Sequence, residues 1–121
     1  MADGEVITAL ILLPESYNPN ESGVRKPVER EKFVVTQGEV GRRFGGGFFH
    51  EPGTGFWFNR GIVTEESMKV LEVDISTSTE DREWIRSYVR DALLERFDQL
   101  EIRVKFVGLM HVETFVAKKN G

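Results

Sequence analysis

The sequence predicts an α+β protein with a ferredoxin-like βαββαβ order of strands and helices. Three observations lead to this fold class: an apolar first strand at residues 6–13, a later helix with one broad apolar face, and alternating strands on either side of that helix. In this topology two helices cover one face of an antiparallel sheet, and the first and third strands lie at its centre. The other face of the sheet is left open.

Length and composition indicate a single domain over residues 1–121, with residues 1–4 and 117–121 expected to be flexible. The chain has no cysteine, which excludes disulfides, a thiolate nucleophile and cysteine-bound metals. The apolar run at residues 6–13 is too short to span a bilayer, so we expect a cytoplasmic protein without a membrane partner. The net charge of -4 argues against broad affinity for nucleic acid.

The chain begins with a strand and a loop. Residues 6–13 (VITALILL) are apolar on both faces, which is typical of a central strand. Residues 14–26 hold two prolines, two asparagines and a glycine, a composition that favours a long surface loop. Tyr17 and Asn18 are the candidates for a functional role in this loop, against the alternative that they are solvated.

A first helix is predicted after the loop. Pro27 suits the first helical position, and the apolar spacing then carries the helix to Arg43 or Phe44. The glycines at 45–47 suit the end of a helix, where positive φ is often needed. A strand at residues 33–36 is the alternative assignment.

The middle of the chain predicts a turn and two strands. Residues 52–55 (PGTG) separate two aromatic runs, which indicates a hairpin or a bulge. Alternation in the second run places Phe56 and Phe58 in the core and Trp57 facing outward. Residues 68–76 alternate between apolar and half-polar faces, as a strand does.

A second helix and a last strand complete the pattern. Residues 76–79 offer N-cap oxygens, and one apolar face follows. That face consists of Trp84, Ile85, Tyr88, Val89, Ala92, Leu93 and Phe97. Residues 100–106 alternate as a strand with one buried face, Gly108 breaks or bulges it, and residues 109–116 then predict an extra C-terminal strand that covers a sheet edge.

The open face of the predicted sheet indicates self-association. The apolar first strand would lie between an acidic strip, Glu72 and Asp74, and a basic strip, Arg103 and Lys105, with Trp57 nearby. Monomers rarely expose a large apolar patch, and a two-fold dimer would join the two strips. We therefore predict a non-catalytic homodimer that also binds an unidentified protein or small molecule, without a cofactor.

The alternative hypothesis is a small metal-dependent phosphodiesterase or nuclease, which rests on fold analogy. Its candidate catalytic residues are His50, Glu51, Arg60 and Asp74. His111 and Glu113 are two apart on a strand and face the same way, as a metal-ligand pair would, although solvated or salt-bridged side chains are the competing interpretation.

Nucleic-acid or phosphate binding is a further, less favoured hypothesis. Arg82, Arg86 and Arg90 recur at helical spacing, where like charges need compensation from neighbours or a ligand. The glycines at 45–47 close a helix rather than open one, so they do not form a dinucleotide or Walker loop. A GxSxG nucleophile elbow is also missing from the sequence.

Five short motifs resemble a group of small uncharacterised prokaryotic proteins. They are PESYNP after the first strand, FGG at the first helix exit, GFWFNRG and EVDI in the strands, and ERFDQ at the second helix exit. The resemblance covers almost the whole chain. It implies the fold and transfers no activity.

Overall fold

The computed structural model describes residues 4–50 and 52–118, and its element order is strand, helix, three strands, helix, strand. The strands are β1 (Gly4–Pro14), β2 (Phe48–Phe49), β3 (Gly53–Asn59), β4 (Ile62–Ile75) and β5 (Val104–Val112). The helices are α1 (Arg30–Phe44), α2 (Thr79–Tyr88) and the short α3 (Leu94–Arg96), which follows a π-helical turn (Val89–Leu93).

The sheet confirms the predicted fold class. It has five strands in the order β2-β4-β1-β5, and β3 pairs with the first half of β4. The pairings of β1 with β4 and β5 are antiparallel, so the apolar first strand lies at the centre as predicted. β2 and β3 together take the place of the second ferredoxin-like strand.

The helix α1 starts later than the sequence predicted. Pro27 forms an isolated bridge with Ser16, and the amide of Val28 donates to the carbonyl of Glu15 at 2.8 Å. These pairings keep the chain extended through Val28, so Pro27 is not the first helical residue. The helix begins at Arg30, and the alternative strand at residues 33–36 is wrong because that segment is helical.

The start of α2 agrees with the predicted cap. The hydroxyl of Ser78 accepts a hydrogen bond from the amide of Asp81 at 3.2 Å, and the Asp81 carboxylate accepts from the amide of Ser76 at 3.0 Å. These contacts satisfy backbone donors that the first helical turn leaves free.

The core lies on one side of the sheet. Alternate residues of the two central strands and the predicted apolar face of the second helix pack together there. The fully or nearly fully buried members are Ile7, Ala9, Ile11 and Leu13 of β1, Leu71, Val73 and Ile75 of β4, and Val40, Ile85, Leu93 and Phe97 of the helical segments. The α1 and α2 helices therefore cover the same face.

A partly buried polar cluster joins α1 to the second helical segment at the edge of this core. The Arg96 guanidinium donates to Thr36 Oγ1 at 2.9 Å and to the Tyr88 hydroxyl at 3.1 Å, and it pairs with Glu39 at 2.6 Å. The Tyr88 hydroxyl donates to the same Glu39 carboxylate at 2.9 Å. Burial raises the pKa of Glu39, but the hydrogen bonds from Tyr88 and Arg96 outweigh burial and hold that pKa below its ordinary value.

The last strand corrects another prediction. β5 runs without interruption from Val104 to Val112, and its pairing with β1 shifts register between Val6 and Thr8. Gly108 lies at this irregularity, so the predicted bulge is confirmed, and residues 109–112 extend β5. Residues 113–118 form no strand, and the predicted extra C-terminal strand is therefore wrong.

The β3–β4 hairpin contains a third correction. Phe56 and Phe58 were expected in the core, but they are 72% and 74% exposed. The hairpin extends past the part of the sheet that the helices cover, because β4 pairs with β1 only from Met68 onward. Trp57 is less exposed than either phenylalanine, so the expected assignment of the three aromatic residues is reversed.

Candidate functional site

The open face of the sheet carries the two charged strips in the predicted order. Leu10 of β1 pairs with Glu72 on one side and with Lys105 on the other. Since residues directly opposite in an antiparallel ladder share a face, the three side chains form one row across the sheet. Arg103 lies beside this row, because its carbonyl accepts from the amide of Leu12 at 3.0 Å.

The acidic strip has neighbours within the chain. His50 Nε2 lies 2.9 Å from the Glu72 carboxylate, and the Thr8 hydroxyl donates to Asp74 at 2.9 Å. Thr8 is only 3% exposed, whereas Leu10 is half-buried. The accessible apolar part of the open face therefore lies towards the C-terminal half of β1.

A cleft of about 970 Å³ occupies that half of the face. Its floor includes Leu12 and Val70, and the β3–β4 hairpin forms one wall. The segment 99–104 and the loop after β1 contribute the remaining walls. This volume lies within the range of small-molecule sites.

The hairpin wall is built around Trp57 and Gly55. A β-carbon at Gly55 would lie 2.8 Å from Cη2 of the Trp57 indole and 3.1 Å from Cγ of Met68. The far edge of the indole therefore lies against the glycine, and a larger residue at this position would crowd it. Glu66 is the cross-strand partner of Gly55, so its carboxylate and the indole line the same cleft.

One cation in the cleft lacks a partner. Arg25 is half-buried and lines the cleft beside Asn18. Its Nη1 atom is buried and has no hydrogen-bond partner within residues 4–50 and 52–118. A buried N–H donor without an acceptor is unfavourable.

The residues of the predicted phosphodiesterase or nuclease site do not converge. Arg60 is in the turn of the β3–β4 hairpin, and Asp74 lies twelve positions beyond Ile62 on β4, roughly 40 Å away at 3.3 Å per residue. His50 contacts Glu72 instead, and Glu51 lies outside the described residues.

The predicted metal-ligand pair, His111 and Glu113, is in contact but exposed. His111 Nε2 lies 3.1 Å from the Glu113 carboxylate, and both side chains are more than half exposed. Across the described ranges no group of three or more His, Asp or Glu side chains is arranged to hold a metal ion. The predicted His111–Glu113 pair therefore exists as a contact without a third ligand among these residues.

The helix arginines interact mainly with their own chain. Arg86 forms an ion pair with Glu83 and lies over the ring of Phe106 at 5.2 Å. Arg90 donates to the hydroxyl of Ser87 at 3.4 Å. Together with Arg82 they were the candidates for phosphate contacts, and the ion pair of Arg86 with Glu83 compensates one of these three like charges.

The cleft was not predicted from the sequence, although the sequence does contain a signal for its hairpin wall. Arg60 and Gly61 both have positive φ, at 52° and 80°, as a two-residue type I′ hairpin turn requires. That turn fixes the register that sets Gly55 opposite Glu66. The burial of Arg25 has no comparable signal, because it depends on how a long loop folds back.

Comparisons with known proteins add a fold relationship. No protein-family profile matches the sequence, and no curated protein matches it either. The structure is similar to that of a phage SAM lyase in complex with S-methyl-5′-thioadenosine, with a TM-score of 0.57 and 16% sequence identity. The similarity covers 94% of this chain and 93% of the lyase chain, so the two share a fold over nearly their whole length.

The comparison defines a class of small α+β proteins with an open antiparallel sheet, and this chain has that architecture. At 16% identity the likeness concerns the fold alone. In the part of the chain that the structure describes, no helix combines the length and the apolar character needed to cross a bilayer.

Proposed function

We propose that the open-face cleft binds a nucleoside joined to sulfur, and that the chain is a lyase acting on S-adenosylmethionine (SAM). One observation carries this proposal: an aromatic wall, Trp57, and a carboxylate, Glu66, line one cleft in a fold similar to that of the phage SAM lyase. This proposal departs from the expectation of a non-catalytic protein, which was based on the lack of catalytic signatures in the sequence.

The lining of the cleft matches the parts of such a ligand. The Trp57 indole offers adenine a flat surface, and base–aromatic stacking is worth about 1–3 kcal/mol. The Glu66 carboxylate is an acceptor for the α-ammonium of the methionine portion. Leu12 and Val70 supply an apolar floor for the S-methyl group.

The reaction needs no reagent besides the substrate. The bond between sulfur and the γ-carbon breaks, and its electron pair goes to sulfur, which leaves neutral methylthioadenosine. An oxygen of the substrate's own carboxylate bonds to that carbon, so methylthioadenosine and a lactone together contain every atom of SAM. The protein's contribution is to hold the methionine portion folded, with carboxylate and γ-carbon in contact.

Incubation of the purified protein with SAM, followed by chromatography for methylthioadenosine, tests this proposal. We expect the wild type to form methylthioadenosine, and Trp57→Ala and Glu66→Gln to lower the rate about tenfold or more. Phe58→Ala is the matched control, because Phe58 is on the same strand but outside the cleft lining. Failure of the wild type to form methylthioadenosine would refute the lyase proposal.

We also propose that the chain self-associates through its open face, because the row Glu72, Leu10 and Lys105 sets opposite charges on either side of an apolar residue. A two-fold axis along β1 between two facing sheets would place each acidic strip opposite the partner's basic strip. The occupant of the face is thus a second copy of this chain.

Charge reversal tests this arrangement. Glu72→Lys alone and Lys105→Glu alone place like charges across the two-fold axis, and each should weaken association roughly tenfold or more. The double variant restores opposite charges and should recover most of the affinity. Glu31→Lys, on the exposed side of α1, is the control for net charge. Equal association of the wild type, the two single variants and the double variant by sedimentation would eliminate this interface.

The two experiments separate the hypotheses. Association without formation of methylthioadenosine favours the non-catalytic interaction protein that the sequence predicted. Formation of methylthioadenosine by a strict monomer removes self-association and retains the lyase.

A further inference from the structure

The unpartnered guanidinium of Arg25 identifies a polar subsite in the cleft. Its buried Nη1 atom has no acceptor among the residues that the structure describes, although the side chain lines a cleft that also contains Glu66. A buried N–H donor without an acceptor is unfavourable, whereas the pairing of a guanidinium with a carboxylate is a strong charge-assisted hydrogen bond.

The loop that carries Arg25 is held in a defined conformation. The amide of Tyr17 donates to the carbonyl of Lys26 at 2.8 Å, and the amide of Asn20 donates to the carbonyl of Val24 at 2.9 Å. The Asn20 side chain also accepts from the amides of Ser22 and Val24, at 2.9 and 3.0 Å. The backbone on both sides of Arg25 is thus fixed, and its position belongs to a preorganised site.

The cleft is lined by two carboxylates, Glu66 and Glu101, and by two guanidiniums, Arg25 and Arg103. Glu66 lies on the hairpin wall, and Arg25 lies on the loop wall. An amino-acid group, with its α-ammonium and α-carboxylate, carries the two complementary charges on neighbouring atoms. Methylthioadenosine carries neither charge, so the pair has no role in holding the nucleoside alone.

We propose that Arg25 binds the α-carboxylate of the amino-acid portion of the ligand, and thereby determines specificity for nucleosides that carry such a group. This inference rests on the proposed function. The Arg25 guanidinium, which lines the cleft, donates to the carboxylate and directs the group towards the γ-carbon. Arg25 is accordingly a specificity and positioning residue.

Two unreactive ligands test the inference by calorimetry: S-adenosylhomocysteine, which has the amino-acid portion, and methylthioadenosine, which lacks it. We expect Arg25→Met to weaken S-adenosylhomocysteine binding about 10- to 100-fold and to leave methylthioadenosine binding within twofold of wild type. Arg25→Lys should recover part of the loss, because it restores the charge. Arg30→Met, an exposed position on α1, is the control and should bind both ligands like the wild type.

The outcomes test the Arg25 subsite separately from the proposed function. If wild type binds both ligands and Arg25→Met binds S-adenosylhomocysteine equally well, the Arg25 subsite is wrong and the proposed function survives. If wild type binds neither ligand, the proposed function fails and the subsite fails with it. Unchanged methylthioadenosine binding by Arg25→Met also shows that the variant is folded, and removal of a side chain with an unpaired buried donor should not lower its thermal midpoint.

Discussion

Replacement of Arg96 by methionine should destabilise the protein by about 2 kcal/mol, a magnitude that follows from its contacts. Arg96 bonds to Thr36, Tyr88 and Glu39 at 2.9, 3.1 and 2.6 Å. Hydrogen bonds to charged groups contribute about 1.5–3 kcal/mol each, so three independent bonds would sum to roughly 5–9 kcal/mol. That sum is too large, because bonds in one network are not additive.

The loss of stability is smaller than this sum because the partners of Arg96 keep other interactions in the variant. The Thr36 hydroxyl still donates to the carbonyl of Lys32 at 2.7 Å, and the Tyr88 hydroxyl still donates to Glu39 at 2.9 Å. The Glu39 side chain is 36% exposed, so water can replace the lost donor. Methionine also keeps much of the aliphatic packing of the arginine stem. What remains is a loss comparable to one charged hydrogen bond.

Urea denaturation measures this loss. With a slope near 1–3 kcal/mol/M, the midpoint of Arg96→Met should fall by about 1 M at unchanged slope. Arg90→Met is the matched control, since Arg90 is exposed and has a single long contact to Ser87 at 3.4 Å; its midpoint should stay within the error of wild type. A change below about 0.5 kcal/mol in Arg96→Met would refute a stabilising role for the cluster.

Three other variants or conditions probe the core, the cleft wall and the same cluster. Phe97→Ala should cost about 3–5 kcal/mol by urea denaturation, because this side chain is fully buried. Gly55→Ala should shift the emission of the indole that lies on it, since the new methyl would contact Trp57 at 2.8 Å; an unchanged spectrum would contradict the packing. The pKa of Glu39 is lowered in the folded state, so its carboxylate stabilises the protein at pH values above the ordinary pKa near 4.5. This stability is lost as the pH falls through the folded pKa. The urea concentration at the midpoint should therefore decrease once the pH is lowered past about 4.5, and it should decrease less steeply in Arg96→Met.

The central strands and the second helix could be predicted because their patterns report local burial. Residues 6–13 are apolar throughout and occupy the sheet centre, and the apolar face from Trp84 to Phe97 lies against that sheet. The charged strips were also predictable, because alternation assigns Glu72 and Lys105 to one face once β1 is central. In each case the residues that determine burial are one helical turn apart in sequence or on the adjacent strand.

The features that the sequence did not predict depend on where an element lies relative to the rest of the fold, and not on local pattern. Alternation in β3 shows that Phe56 and Phe58 share a face. It does not show that the hairpin extends past the helices that would otherwise cover these side chains. Arg96 reaches Thr36 across sixty positions, and no local pattern reports such a contact. The unpaired state of Arg25 likewise depends on the whole cleft.

The two proposals concern neighbouring parts of one face, and this has a thermodynamic consequence. Leu12 is in the cleft floor, and Leu10, two positions earlier on β1, is in the row between the charged strips. With the two-fold axis along β1, a second copy seated on that row would place its own cleft opposite this one and limit the exposure of both to water. Any ligand that contacts both copies must then strengthen association by the same factor by which association strengthens ligand binding. Methylthioadenosine affinity should therefore rise with protein concentration in the wild type and become independent of it in Lys105→Glu, whereas independence in both proteins would show that cleft and interface act separately.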